Sequence, residues 1–106
     1  MKKSFVIAAG PLSRDEERAI TEHFRDKYAW WHWIDGFWLI IDSSGNLTAQ
    51  DIRDHLHQVA PSARLLALEV QGISDWAGIG PETEGKNMFR WIRKYWLEEL
   101  EKRAGT

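Results

Sequence analysis

The stretch Ala29–Asp42, AWWHWIDGFWLIID, decides the fold that this sequence predicts, because it has the pattern of a β-hairpin. Aromatic and β-branched residues flank the dipeptide Asp35-Gly36. This dipeptide favours a type I′ turn, which needs positive φ at both central residues and joins two paired strands. The stretch also holds four of the chain's seven tryptophans. A hairpin rich in tryptophan is therefore the first element that the sequence predicts.

The register of this hairpin predicts which side chains share a face of the sheet. A two-residue turn places Trp33 opposite Trp38 and Trp31 opposite Ile40, so these four are expected on one face. The other face is expected to carry Trp30, His32, Ile34, Phe37, Leu39 and Ile41. Because a solvated face normally carries polar residues, the tryptophan face needs a cover. A second protomer docked on Trp31, Trp33, Trp38 and Ile40 is the preferred cover, and the chain's own C-terminal helix is the alternative.

The residues on either side of the hairpin extend the pattern to a complete fold. Capping signals at Ser13 and Thr48 each begin an amphipathic helix. The remaining elements are a strand over residues 5–9, a strand over 63–71, a loop over 81–86 and a helix over 87–103. The order β, α, β, β, α, β predicts an α+β ferredoxin-like plait with an additional C-terminal helix, formed as a single domain over residues 1–106.

Composition narrows the function classes. With 106 residues and a net charge of −2, the chain has no overall attraction to nucleic acid or membrane. It contains no cysteine, which excludes disulfides, zinc-thiolate sites and cysteine nucleophiles and favours the cytoplasm. The apolar run Phe5–Ala9 is too short for the core of a signal peptide. We therefore expect a cytoplasmic protein with no membrane partner.

Three segments carry a resemblance to a known family: FWLIID at 37–42, TAQDIRDHLHQV at 48–59, and ARLLALEVQG at 63–72 followed by a tryptophan. Together they resemble the small SinR-like proteins, which are similar to the ferredoxin-fold nucleases of CRISPR systems, the small partner of the spacer integrase. The resemblance spans roughly residues 4–78. Its motif residues are Trp38, Asp42, Ile52, Arg53, Asp54, His55 and Leu56. It implies a plait that forms a symmetric dimer through its sheets.

The same resemblance indicates where nuclease chemistry is expected. In the CRISPR-associated nucleases, an aspartate at the end of the first strand is the expected metal ligand. Here the strand reads FVIAAG over residues 5–10 and contains no acid, and alanine offers no oxygen ligand to a divalent metal. Asp42 and Asp75 are the remaining candidate carboxylates, although each can equally be a loop or cap residue. No metal site or cofactor is predicted, with Mg²⁺ needed only by a nuclease that has relocated its acids.

Two other features have functional and structural interpretations. Lys86, Arg90, Arg93 and Lys94 recur at helical spacing and form a basic stripe that is able to contact phosphates. The alternative is a solvated face balanced by the glutamates that follow it in the helix. His32 lies among apolar neighbours, where a hydrogen-bonded core histidine is expected rather than a general base.

Three functions of different class follow from these observations. The preferred one is a non-catalytic homodimer of the SinR-like type that acts through protein or nucleic-acid contacts. The second is a metal-dependent RNase or DNase that uses Asp42 or Asp75. The third is a monomer that stacks a planar or sugar ligand on its exposed tryptophans.

Overall fold

A computed structural model of the chain describes residues 1–72 and 75–104, with side chains described as far as residue 102. Within these residues the protein is a mixed α+β structure with a four-stranded antiparallel sheet. This confirms the predicted α+β class, and the first six elements follow the predicted order β, α, β, β, α, β along the chain. The bounds are β1 (Lys3–Gly10), α1 (Arg14–Lys27), β2 (Ala29–Ile34), β3 (Phe37–Asp42), α2 (Ala49–Val59), β4 (Arg64–Val70), a π-helical segment (Ile92–Trp96) and α3 (Leu97–Ala104).

Both predicted helix starts are confirmed by reciprocal capping. The Ser13 hydroxyl accepts the Glu16 N–H at 3.1 Å, and the Glu16 carboxylate accepts the Ser13 N–H at 2.8 Å. Thr48 and Asp51 form the same pair of bonds, each 3.1 Å long. Each capping box satisfies two backbone donors at the helix entry. Short local motifs thus define where α1 and α2 begin.

The strands lie in the order β2-β3-β1-β4, with β1 and β3 in the centre. Ile7 of β1 lies opposite Trp38 of β3, and both strands pair antiparallel. The predicted position of the turn is confirmed, because Ile34 lies opposite Phe37. The predicted type I′ was wrong, because only Gly36 has a positive φ, of 69°, whereas Asp35 does not. Gly36 also accepts a hydrogen bond from the Ala9 N–H at 2.8 Å, and a Cβ at this glycine would collide with the Ala9 carbonyl oxygen. Glycine is therefore required by both conformation and space.

One face of the central strands packs against α1 and α2. The fully buried cluster there takes residues from β1, β3 and both helices: Phe5, Ile7, Ile20, Phe24, Trp38, Ile40, Ile52 and Leu56. Alternate residues of β4, Leu65 and Ala67, pack against the same cluster. The period of two in the strands and the spacing of three to four in the helices therefore converge on one core.

The predicted register of the hairpin was wrong beyond its turn. A bulge between Trp31 and Ile34 shifts the pairing by one residue, so that Trp31 lies opposite Leu39 and Trp30 lies opposite Ile40. One extra residue in a strand turns every side chain beyond it to the other face. The four side chains predicted to share a face are therefore in different environments. Trp38 and Ile40 are completely buried in the core that faces α1 and α2, whereas Trp33 is 44% exposed.

Trp31 lies on the other side of the sheet from Trp38. It is opposite Leu39, and its ring contacts Phe37 edge-on, with ring centroids 6.2 Å apart. The buried helix-side cluster instead receives Trp30 as a partly buried neighbour. The predicted interface of Trp31, Trp33, Trp38 and Ile40 consequently has no counterpart as one continuous surface.

The chain divides into two compact units, residues 1–69 and 70–106. In the second, Asn87 caps the helical residues that begin at 90, by accepting the N–H groups of Phe89 and Arg90. The predicted helix over 87–103 is thus a cap, a π-helical segment and α3. A single domain over 1–106 stays a prediction, and residues 73, 74, 105 and 106 lie outside the described ranges. Within those ranges, no helix has the length and apolar character needed to cross a membrane.

Candidate functional site

Asp42, the first candidate carboxylate, organises the loop between β3 and α2. One carboxylate oxygen accepts the Ser44 N–H at 3.1 Å and the Ser44 hydroxyl at 2.8 Å, and the other accepts the Leu47 N–H at 2.9 Å. Burial alone would raise the pKa of Asp42, but these bonds, together with the Asn46 amide, hold the pKa below its ordinary value. Asp42 is buried, with 4% of its surface exposed, and both of its carboxylate oxygens accept hydrogen bonds from the protein. Its observed role is that of a loop anchor.

Asp75, the second candidate, lies in the unit formed by residues 70–106. It is exposed, and its carboxylate accepts the N–H of the following residue, Trp76, at 2.9 Å. This is the geometry of a local cap. Over the residues that the structure describes, no group of three or more histidine, cysteine, aspartate or glutamate side chains is placed to hold a metal ion.

The predicted basic stripe is divided by its local structure. Lys86 lies before the helical residues, in a turn where its N–H donates to the Thr83 hydroxyl at 3.1 Å. Arg93 forms an ion pair with Glu82 at 2.8 Å, and its guanidinium lies 5.7 Å from the ring centroid of Trp76 and 5.8 Å from that of Phe89. Arg93 therefore anchors the preceding loop by charge and by stacking.

The backbone of this segment also departs from the spacing that predicted the stripe. Over Ile92–Trp96 the helix widens to a π-helical turn, in which the Leu97 N–H donates to the Ile92 carbonyl five residues earlier. Arg93 and Lys94 lie within this turn, and Lys94 approaches the ring of Tyr95 at 5.4 Å. A π-helical turn has more residues per turn than an α-helix. The four basic residues thus do not form the regular row that an α-helix would give.

His32 occupies the bulge that shifts the hairpin register. Its Nδ1 lies 2.8 Å from the Phe37 carbonyl oxygen, its Nε2 lies 2.8 Å from the Glu17 carboxylate, and its ring stacks on Trp38 with centroids 4.5 Å apart. The prediction of a hydrogen-bonded histidine is confirmed. Both ring nitrogens thus contact oxygens of the protein, which is the environment of a structural histidine.

Glu17 completes this arrangement, and sequence reasoning missed it. The same carboxylate oxygen that contacts His32 accepts the Gly36 N–H at 2.9 Å, so α1 is tied to both the bulge and the turn of the hairpin. The residues are separated by 15 and 19 positions in the chain. A search for local motifs has no signal for such a contact.

His23 of α1 and His55 of α2 form a second arrangement that the sequence did not indicate. Their rings stack with centroids 3.6 Å apart and planes inclined by 21°, and the His55 Nε2 is buried without a hydrogen-bond partner. Burial lowers the pKa of both histidines, and His23 is affected further by the charges of His55 and Lys27, against an opposing effect of Asp26. Lys27 also lowers the pKa of His55. The contact is compatible with two neutral rings and opposes two charged ones.

This pair is expected to make the protein less stable as the pH falls from about 7.5 to 5. The unfolded chain binds protons near the ordinary histidine pKa of 6.5, whereas the folded chain resists them until a lower pH. The unfolded state therefore binds more protons in this window, and the free energy of unfolding rises with pH across it. The variant carrying His23→Phe and His55→Phe should lose much of this slope in urea unfolding. The variant His57→Gln, which changes an exposed histidine of the same helix, should retain it, and an unchanged slope in the double variant would contradict the interpretation.

Exposed apolar side chains of the first unit include Ile34 at the end of β2 and two leucines of β4. Leu66 is 58% exposed, Leu68 49% and Ile34 49%. An open cleft of about 480 Å³ joins this region, lined by residues 8–10, 34–37 and 64–66. Ala8, Ala9 and Gly10 line it, at the strand end where the family resemblance predicts a metal ligand. The surface is suited to apolar contact, and Asp35 and Arg64 supply its charges.

Comparison of the chain with protein-family models, with curated proteins and with solved structures gives no match.

Proposed function

We propose that this protein is a non-catalytic homodimer with a ferredoxin-like plait of the SinR-like type, which acts through contacts with protein or nucleic acid. The observation that carries the proposal is the pair of leucines on β4. This strand is outermost in the sheet, and Leu66 and Leu68 are exposed on one side of it by 58% and 49%. Large apolar side chains on an exposed edge strand favour association and are normally avoided in monomers. We define Leu66 and Leu68 as the β4 leucine pair.

Two further features support the plait and its location. The elements follow the order β, α, β, β, α, β, with β1 and β3 in the centre of the sheet and β2 and β4 outside them. Helices α1 and α2 cover one face of this sheet, as in a plait. The absence of cysteine from the sequence agrees with a reducing compartment, and we include a cytoplasmic location in the proposal.

The proposal predicts a solution mass of twice the chain mass of 12.4 kDa by light scattering after size exclusion. Changing the β4 leucine pair to serine should shift the mass towards that of one chain, because the apolar contact is lost while the core remains. Ile79→Ser is the matched control, since this isoleucine is 99% exposed and does not belong to β4. A wild-type monomer would contradict the homodimer, and a serine variant that stays dimeric would move the interface elsewhere.

The non-catalytic part of the proposal has a separate test. Purified protein should leave RNA, single-stranded DNA and duplex DNA intact in the presence of Mg²⁺ or Mn²⁺. Metal-dependent cleavage that persists through purification would contradict this part and leave the homodimer standing. The two parts are thus tested by different measurements.

A further inference from the structure

We infer that two copies of this chain join through β4, which pairs antiparallel with β4 of the second copy about a two-fold axis at Ala67. The inference rests on the proposed homodimer and identifies its interface. β4 borders β1 on one side and is the last strand on the other. An edge strand presents backbone N–H and C=O groups, which a strand from another chain can satisfy while adjacent side chains provide specificity. Pairing would join the two sheets into one.

The side chains of β4 favour this register over its neighbours. With the axis at Ala67, Leu66 of each copy lies opposite Leu68 of the other, which gives two leucine–leucine pairs where an axis at Leu66 or Leu68 gives one, while Arg64 lies opposite Val70. An axis at Leu66 would instead place Arg64 opposite Leu68. An axis at Leu68 would place Leu66 opposite Val70, which is already partly buried. Directly opposed apolar pairs are the unit of stabilisation between antiparallel strands.

The helix side of β4 brings one acidic and one basic residue near the inferred axis. Residues alternate along the strand, so Glu69 shares the helix side with Leu65 and Ala67. A small cleft of about 250 Å³ lies there, lined by Leu65 and Ala67 of β4 and by Arg53 of α2. In the inferred register, Glu69 of the second copy lies opposite Leu65, beside this arginine. Arg53 already forms an ion pair with Asp54 at 2.9 Å, so a Glu69 carboxylate from the second copy would add only a weak contact at the rim of the interface. The self-complementary leucine pairs therefore carry the choice of a second copy as the occupant.

Cysteine cross-linking tests the register, because the chain has no cysteine of its own. The variants Leu66→Cys and Leu68→Cys are prepared with different tags, mixed and oxidised. Directly opposed residues lie about 4.5–5.5 Å apart, whereas diagonal neighbours lie about 7–8 Å apart, and disulfides require Cα atoms within about 7 Å. The expected result is a mixed Leu66→Cys and Leu68→Cys dimer in excess over either homodimer. Ala67→Cys should cross-link with itself. Opposed residues alternate between hydrogen-bonded and non-hydrogen-bonded pairs along antiparallel strands, so this variant tests the type of pair that the leucine variants do not.

Each other result has a defined meaning. Self-linked Leu66→Cys or self-linked Leu68→Cys in excess would overturn the register and favour an axis at that residue. Ile79→Cys, an exposed position outside β4, sets the background rate of cross-linking. If light scattering shows a dimer but the β4 variants cross-link no faster than this background, pairing through β4 is overturned and the proposed homodimer stays intact. A wild-type monomer in light scattering would overturn both.

Discussion

Replacing Trp38 by alanine is expected to lower the free energy of unfolding by about 3–5 kcal/mol, the usual cost of removing a large aromatic side chain from a core. Trp38 is completely buried, and its indole N–H donates to the Thr21 hydroxyl at 3.0 Å. Its ring also contacts Phe24 edge-on at 6.1 Å and stacks on His32. Truncation removes these contacts together, because they belong to one side chain that connects β3 to α1 and β2.

Trp33→Ala is the matched control for this prediction. This tryptophan lies in the same hairpin but is 44% exposed, so its loss should change stability by no more than about 1 kcal/mol. Urea unfolding followed by circular dichroism measures both variants without relying on tryptophan fluorescence. Equal losses would contradict the observed register and restore the one in which both side chains share a face. The comparison also shows why a variant at Trp38 is unsuitable for testing an interface, since it would disrupt the subunit itself.

The parts of the fold that sequence predicted are those encoded by short-range chemistry. Asp35-Gly36 encodes its turn, and the capping boxes beginning at Ser13 and Thr48 encode their helices, because each signal lies within four residues. The hairpin register depends on a bulge at His32, whose partners Glu17 and Trp38 come from other elements. A pattern of alternating residues carries no information about such contacts. One long-range arrangement therefore reversed the predicted position of Trp31.

The candidate sites differ in the same way. Spacing alone predicted a basic stripe, but it did not reveal that Glu82 neutralises Arg93 or that the helix widens over Ile92–Trp96. For Asp42 a local signal was present. The sequence DSSGNLT from 42 to 48 combines an aspartate with serine, glycine and asparagine, the residues that form side-chain-to-backbone turns. That pattern indicates a loop anchor, which is the role that the hydrogen bonds of Asp42 show.

Asp42→Ala is expected to lower the free energy of unfolding by about 2–4 kcal/mol at pH 7, because it leaves several donors of the loop without an acceptor. Two backbone N–H groups and one hydroxyl donate to this carboxylate in the part of the chain described. Asp42→Asn should cost less, because the amide oxygen still accepts the hydrogen bonds of one carboxylate oxygen. Some loss remains, because the amide NH₂ group then faces the Leu47 N–H, which is also a donor. Urea unfolding of both variants measures the difference.

The pH dependence gives this prediction its sign. The folded pKa of Asp42 is lower than the ordinary value of 3.8, so the folded chain binds fewer protons than the unfolded chain near that pH. The stabilisation is therefore fully present above this value and is lost as the pH falls through the folded pKa. The difference between wild type and Asp42→Ala should consequently be smaller at pH 3 than at pH 7. A difference that is independent of pH would contradict an ionised anchor.

Asp75→Ala completes the argument about the two candidate acids. This exposed carboxylate caps one N–H, so its removal should change stability by no more than about 0.5 kcal/mol. If Asp42 were chiefly a catalytic ligand, its replacement would leave stability nearly unchanged, as active-site acids are often held against opposing charges or in strain. A large loss for Asp42→Ala and a negligible one for Asp75→Ala would assign Asp42 to the architecture of the loop. A negligible loss for both would contradict that assignment and make the carboxylate of Asp42 available for another role.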